Sequence, residues 1–204
     1  MNPTPVRSLP SILCLLLLLA ACAGNRPGQT YPDAPAPFQA DDGTISARNY
    51  YQTLEQPFTL GLGAFNGGAT PITLDSLKPV ALPPDVTLVA TAIERPEENS
   101  HELLTAGHLG YPPIIDDLHR PYVFHPLEHA VIHPQEYVEA VVALQSSKVG
   151  AFIAQGFLLT LEMNGKTYQH YYPAAIVLCV EVDEATCDAA VKKADEDYDS
   201  QQGR

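Results

Sequence analysis

Residues 156–172, GFLLTLEMNGKTYQHYY, contain the clearest strand pattern of the chain. Every second position of its first half is apolar, namely Phe157, Leu159, Leu161 and Met163. A period of two is typical of a β-strand with one buried face. Asn164-Gly165 follows, and Asn-Gly is the strongest short signal for a two-residue hairpin turn. Such a turn places Leu161 opposite Tyr168, so the stretch predicts an antiparallel β-hairpin.

The same strand pattern recurs on both sides of this hairpin. Five further segments carry it, at residues 58–65, 72–80, 85–94, 136–145 and 174–182. In the segment 136–145, Val138, Ala140, Val142 and Leu144 fall on one face, and Glu139 falls on the other. The series contains many turn residues and no convincing long helix. It therefore predicts an all-β fold, and a β-sandwich is the architecture that such series favour.

Three parts of this series resemble the immunoglobulin-like domains of bacterial envelope proteins. They are FTLGLGAFNGGATPITLDSLKPV at 58–80, VIHPQEYVEAVVAL at 131–144 and GAFIAQGFLLTLEMNGKTY at 150–168. In those domains a strand meets an N-x-G-type turn, and a turn begun by Pro leads into a long inner strand. The resemblance covers roughly residues 56–180 and implies an immunoglobulin-like β-sandwich, which we place at residues 46–190. The chain departs from antibody domains because it contains no Trp and has both late cysteines at the end of the series.

The N-terminus carries a short apolar run over residues 12–21, which ends in Leu19-Ala20-Ala21-Cys22. A membrane-spanning helix needs about 20 residues, so this run matches the apolar region of a secretory signal instead. Its end resembles the lipobox of bacterial lipoprotein signal peptides. The resemblance implies that residues 1–21 are removed and that Cys22 becomes the lipidated N-terminus. The alternative is an ordinary secretory signal in which Cys22 is incidental.

A lipid on Cys22 predicts an address in the bacterial cell envelope. Two or more acyl chains anchor a protein stably on the extracytoplasmic side of a membrane, because each buried CH₂ contributes about 0.8 kcal/mol. The sequence leaves open whether this is the outer or the plasma membrane. Residues 22–45 are rich in Pro, Ala, Gly and Asp without an apolar period, so they are predicted to be a tether.

Charge limits the partners of the mature chain. The full chain has 11 basic and 24 acidic residues, and its formal charge is -13. Removing residues 1–21 takes away Arg7 and no acid, so the mature charge is -14. A strongly acidic domain is not expected to bind nucleic acid or to dock through its charges on anionic lipid.

Two cysteines remain for the folded domain once Cys14 leaves with the signal and Cys22 takes the lipid. Cys179 and Cys187 are separated by seven residues. An even pair in an oxidising compartment predicts a disulfide. The alternative is two free thiols in a metal or redox site, although this spacing is not a C-x-x-C motif.

Histidines are concentrated in an insertion that interrupts the strand pattern at residues 95–128. Six of the seven lie between residues 101 and 133, and His125, His129 and His133 recur at every fourth position. Imidazoles bind zinc and copper, so these three histidines are a candidate metal site. Pro134 disfavours a helix at His133, and in a strand four residues span about 13 Å, so only a bent loop would gather them. The alternative is a polar loop that is rich in histidine.

No motif in the chain predicts catalysis. The sequence HELLT at 101–105 has Thr where the zinc-protease motif needs its second histidine. There is no G-x-S-x-G nucleophile motif either. We therefore predict a non-enzymatic lipoprotein that is a binding or structural module of the envelope, with a protein or glycan partner and no resident cofactor. The alternative hypothesis is metal (Cu or Zn) binding or delivery by segment 101–133. Residues 191–204 are predicted to be an acidic, disordered tail.

Overall fold

Two sheets packed face to face form a β-sandwich in the computed structural model of the chain. The structure describes residues 34, 36–40, 48–99, 101, 103–104, 107–115 and 119–202. The predicted signal peptide, Cys22 and most of the predicted tether lie outside these residues. Among the described residues, no helix combines the length and the hydrophobicity needed to cross a membrane.

The first sheet pairs its main strands in the order β1, β3, β11, β5 and β9. Their bounds are Phe38–Ala40, Phe58–Asn66, Tyr137–Ser146, Val86–Glu94 and Phe124–Pro126, and β6, His108–Leu109, also pairs with β3. The second sheet has the order β10, β4, β12, β13 and β2. Their bounds are Ala130–Ile132, Ile72–Ala81, Gly150–Met163, Lys166–Val180 and Arg48–Gln52.

Smaller elements complete the described structure. They are a two-stranded sheet of β7, Ile114–Ile115, and β8, Arg120–Pro121, a 3₁₀ helix at Pro96–Asn99, and α1, Glu184–Gln202.

The strand order is that of an immunoglobulin-like sandwich, so the predicted fold class is confirmed. Strands β1, β3, β11 and β5 occupy the positions of A, B, E and D, and β4, β12 and β13 occupy those of C, F and G. The connection between β5 and β11, which joins D to E, contains the insertion. The chain pairs in the first sheet through β1. It then enters the second sheet, where β2 pairs in parallel with the end of β13.

The hairpin register and the inward faces agree with the sequence pattern. Leu161 pairs with Tyr168 across the β12–β13 ladder, as predicted. The core lies between the sheets and contains the alternating side chains, including Leu60, Leu62, Val138, Ala140, Val142, Leu159 and Leu161. In β4 the buried positions change from Ile72 and Leu74 to Leu77. A register shift between Thr160 and Leu161 of the neighbouring strand makes Asp75 a bulge, which reverses the alternation.

The prediction of a disordered tail at 191–204 is wrong, because helix α1 continues through Gln202. Asp183 precedes the helix, and its carboxylate accepts a hydrogen bond from the Thr186 amide at 2.8 Å, as an N-cap does. Cys187, Ala190, Val191 and Ala194 recur at helical spacing and pack against the outer face of the second sheet. This short apolar stripe is typical of a packed helix, but the acidic composition of the segment led to the prediction of disorder.

The predicted start of the domain at residue 46 is also wrong. Phe38–Ala40, in the range predicted as tether, forms β1 and pairs with β3 from Asn66 to Ala64. Phe38 is buried in the core beside the His170 ring, at 5.3 Å between ring centroids. One aromatic residue in a Pro-rich segment gives no period, so its burial could not be predicted from the pattern.

Candidate functional site: a carboxyl pair beneath the insertion

The insertion lies over the outer face of the first sheet. Leu104 and Tyr122 of the insertion are buried with Ala92 of β5 and Val141 of β11, and Phe124 packs against this cluster. We call this cluster the covered layer. It is separate from the main core between the sheets, and it gives the sheet a second buried face.

Glu94 and Glu139 lie together within this layer. They are cross-strand partners of β5 and β11, and both are fully buried. Their side chains point outward because the neighbouring Ile93, Val138 and Ala140 point into the main core. Burial of two carboxyl groups side by side is costly unless hydrogen bonds and protonation compensate.

Each carboxyl group accepts a hydrogen bond from the insertion. The Asn99 side-chain amide donates to Oε1 of Glu94 at 2.7 Å, and the Leu104 backbone amide donates to Oε2 of Glu139 at 2.6 Å. Asn99 is itself held by the backbone of Val123. The Val123 amide donates to Oδ1 of Asn99 at 2.8 Å, and the Val123 carbonyl accepts from Nδ2 of Asn99 at 3.2 Å. The carboxyl pair therefore fastens two separate segments of the insertion to the sheet.

Burial raises the pKa of Glu94 from 4.5 to about 8. The Asn99 hydrogen bond opposes this rise in the pKa, whereas the charge of Glu139, its hydrogen bond to Glu94 and the charge of Glu98 add to it. The raised pKa favours the protonated form of Glu94 at neutral pH, and in that form its carboxyl can donate a hydrogen bond to Glu139. The titration belongs to the coupled pair rather than to one residue.

Gly61 of β3 provides the room for this pair. A Cβ placed on Gly61 would lie 2.8 Å from Cδ of Glu139 and 2.9 Å from Cβ of Leu104. Any larger side chain would therefore push the carboxyl group or the insertion away from the sheet.

The outer surface of the insertion exposes apolar side chains. Of the eight large hydrophobic residues that are exposed in the described structure, four belong to it: Leu103, Leu109, Ile114 and Val123. Four rings of the insertion form a row, with centroids of Tyr111 and Phe124 at 5.4 Å, of Phe124 and Tyr122 at 6.1 Å, and of Tyr122 and His108 at 5.6 Å. The insertion thus exposes apolar side chains in addition to those that it buries against the sheet.

The three predicted metal ligands are not brought together. Nε2 of His125, in β9, lies 2.6 Å from Oε2 of Glu98. His129 is exposed in a turn with φ of 64°, and His133 is exposed after β10. In the part of the chain that the structure describes, no group of three His, Cys, Asp or Glu side chains is arranged to hold a metal ion. Metal binding by His125, His129 and His133 therefore stays a prediction.

The predicted disulfide is confirmed. Cys179, near the end of β13, is bonded to Cys187 in the first turns of α1. Both cysteines are fully buried, so the bond fastens the helix over the second sheet.

The carboxyl pair was missed from the sequence. Alternation correctly places Glu139 on the face opposite the core, where a charged residue is ordinarily solvated. What the pattern does not contain is the cover, because the insertion has no period that predicts its packing. A signal did exist, since single glutamates stand in otherwise apolar strands at TAIE, 91–94, and YVEAVV, 137–142.

Comparisons with known proteins give no family. No family model matches the chain, and no curated protein matches it. VesB protease of Vibrio cholerae is 12% identical over 70% of this chain and 32% of its own length, with a TM-score of 0.36. PapD-like domain 7 of human CEP192 is 8% identical over 76% of this chain and 94% of its own, with a TM-score of 0.35.

A family 123 glycoside hydrolase of Clostridium perfringens is 10% identical over 71% of this chain and 28% of its own, with a TM-score of 0.39. The chain thus spans about a third or less of the two enzymes. Likeness at this level carries no argument about function.

Proposed function

We propose that the protein is a lipoprotein of the bacterial cell envelope, anchored through Cys22, that binds another envelope protein without catalysis. The insertion is the part of the domain that makes this contact. The observation that carries the proposal is the exposure of aliphatic side chains on the insertion, where Leu109 is 45% and Ile114 is 51% exposed.

Contiguous exposed apolar patches are typical of surfaces that contact another protein, and we infer that these side chains contribute to such a patch. The immunoglobulin-like scaffold provides a rigid base, and binding residues are often carried by loops on such scaffolds. The aliphatic character of the residues favours a protein over a glycan. The acidic charge of the chain, -13, is consistent with a partner other than nucleic acid.

The anchor is tested by labelling cells with a radioactive fatty acid. The wild-type chain and a Cys14→Ser control are expected to take up label and to sediment with membranes. The Cys22→Ser chain is expected to do neither, because the acyl chains have no thiol to attach to. Label on the Cys22→Ser chain would overturn the anchor.

The binding surface is tested by chemical cross-linking in cells. A Leu109→Ser, Ile114→Ser chain is expected to lose the cross-linked species that the wild-type chain forms. Val149→Ser is the matched control, because Val149 is 54% exposed but lies in the turn before β12. Equal cross-linking by both variants and the wild type would exclude the insertion as the contact.

A further inference from the structure

We propose that the insertion is a pH-sensitive cover, whose attachments at Asn99 and Leu104 separate from the first sheet when the Glu94–Glu139 pair loses its shared proton. This property goes beyond the proposed function, because it belongs to the domain itself and requires no partner. Separation would uncover the outer face of β3, β5 and β11, including Ala92 and Val141.

Two attachments of the cover meet at the pair, whereas strands β6 and β9 fasten other parts of the insertion by pairing with β3 and β5. Asn99 and Leu104 donate to the two carboxyl groups of the pair, at 2.7 and 2.6 Å, and Asn99 also holds Val123 in the returning segment. The apolar contact beside these hydrogen bonds is small. Within the covered layer, the insertion contributes the buried side chains of Leu104 and Tyr122. A change in the pair therefore acts on the part of the insertion between β5 and β6, which contains Asn99 and Leu104.

The geometry fits a shared proton rather than a bound cation. Both groups that the insertion directs at the pair are N–H donors, which repel a cation. The orientation of the Asn99 amide is set by Val123, because Oδ1 accepts from its amide and Nδ2 donates to its carbonyl. Asn99 therefore cannot turn its oxygen toward Glu94 without breaking both of these bonds.

Other charged and titratable groups surround the pair. Glu98, from the 3₁₀ helix, raises the pKa of Glu94 further through its negative charge. Tyr122 lies in the covered layer, with the His108 ring 5.6 Å away between centroids. On the strand side, β3 contributes Gly61, which has no charge. Arg95 follows Glu94 directly but forms its ion pair with Glu136, at 2.8 Å.

The direction of the pH effect follows from these values. In the attached state the pKa of Glu94 is about 8, whereas a solvated glutamate has its ordinary value of 4.5. The attached state therefore holds its proton more tightly than the separated state. Attachment is therefore strongest below pH 4.5. Above this pH the equilibrium constant for attachment falls about tenfold per pH unit, and it becomes constant above pH 8.

The test is hydrogen exchange of the full-length protein, read by mass spectrometry between pH 5 and 9 and corrected for intrinsic exchange. Protection of the segments that contain the Leu104 and Val123 amides is expected to fall about tenfold per pH unit up to about pH 8. The β12 segment 157–163, which lies in the second sheet, serves as the internal reference and is expected to keep its protection. Equal corrected protection of the insertion at pH 6 and pH 8 would overturn the proposal.

A pair of variants separates the shared proton from other causes. Glu94→Gln keeps an acceptor for Asn99 and supplies a permanent N–H toward Glu139, so its insertion is expected to stay protected at every pH. Glu98→Gln is the matched control, because it removes a nearby charge outside the pair and is expected to keep the wild-type slope. A Glu94→Gln chain that still loses protection with pH would contradict the proposal, and the wild-type profile remains decisive if that variant does not fold.

Discussion

The two outer faces of the sandwich are covered by different means. On the second sheet, helix α1 places Cys187 and Ala194 against Ala175 and Val177, and a disulfide to Cys179 fixes it there. On the first sheet, the insertion packs a small apolar layer, pairs with the sheet through β6 and β9, and is fastened between β5 and β6 through two carboxyl groups.

The difference is one of chemistry as well as of shape. An apolar contact with a covalent bond does not depend on pH, whereas a fastening made of carboxyl groups depends on their protons. The helix is therefore expected to act as a permanent part of the domain. The insertion is expected to be the part whose attachment changes with conditions.

The largest effect is expected from Glu139→Ala. The change leaves the Leu104 amide buried without its acceptor and opens a cavity beside Glu94, so the free energy of unfolding should fall by about 2–4 kcal/mol. Denaturant unfolding at pH 6 measures it. Glu162→Ala, at an exposed position of β12, is the control and should change stability little. Equal effects of the two changes would mean that the pair does not fasten the insertion.

Removal of the disulfide tests the other cover. A Cys179→Ala, Cys187→Ala chain should lose about 2.6 kcal/mol in the chain-entropy model for a loop of this length. Hydrogen exchange should show loss of protection in α1 and none in the insertion, because the two covers lie on opposite sheets. Loss of protection in both covers would show that they are coupled and would contradict their independence.

Gly61→Ala tests the fit of the pair on β3. The added methyl group meets Cδ of Glu139 at 2.8 Å, so stability should fall by about 1–3 kcal/mol. Gly67→Ala is the matched control, because its nearest contact is the Pro37 carbonyl oxygen at 3.3 Å. Thermal unfolding of the two variants measures the difference. A smaller loss in Gly61→Ala than in Gly67→Ala would show that the pair is not closely packed.

The smallest effect is expected from Asp183→Ala at the start of α1. Hydrogen bonds from Thr186 hold the pKa of Asp183 below its ordinary value of 3.8. Its stabilising contribution is therefore present at neutral pH and is lost as pH falls through and below that value. Far-UV circular dichroism should show slightly less helix in the variant at pH 7. Asp188→Ala, inside the helix, is the control, and an equal loss in both would exclude the capping role.

The main core and the two covers differ in how far the sequence predicted them. Alternation at Leu60, Leu62, Val138 and Ala140 predicted the core, and Asn164-Gly165 predicted the hairpin, because both depend on local geometry alone. The disulfide followed from the cysteine count. Burial of Glu94 and Glu139 depends on a cover that is distant in sequence and has no period. The covers of both sheets therefore had to be read from the structure.

The histidines show that a regular spacing in the sequence does not by itself predict a site. His125, His129 and His133 have a regular spacing, but a spacing is informative only when the backbone between them is a regular helix. The chain there alternates between short strands and turns, and His129 lies in a left-handed turn. The regular spacing alone therefore gives no reason to expect the three side chains on one face.

The most direct test of the account is a carbon-13 NMR titration of the glutamate side-chain carboxyl groups in the full-length protein. We expect the carboxyl resonances of the pair to show a titration step near pH 8, and we expect this step to be absent from the Glu94→Gln chain. Titration of every glutamate near the ordinary value of 4.5 would contradict this expectation. The first result would show that the pair beneath the insertion holds a proton at neutral pH. The second would leave the two covers with no difference in their response to pH.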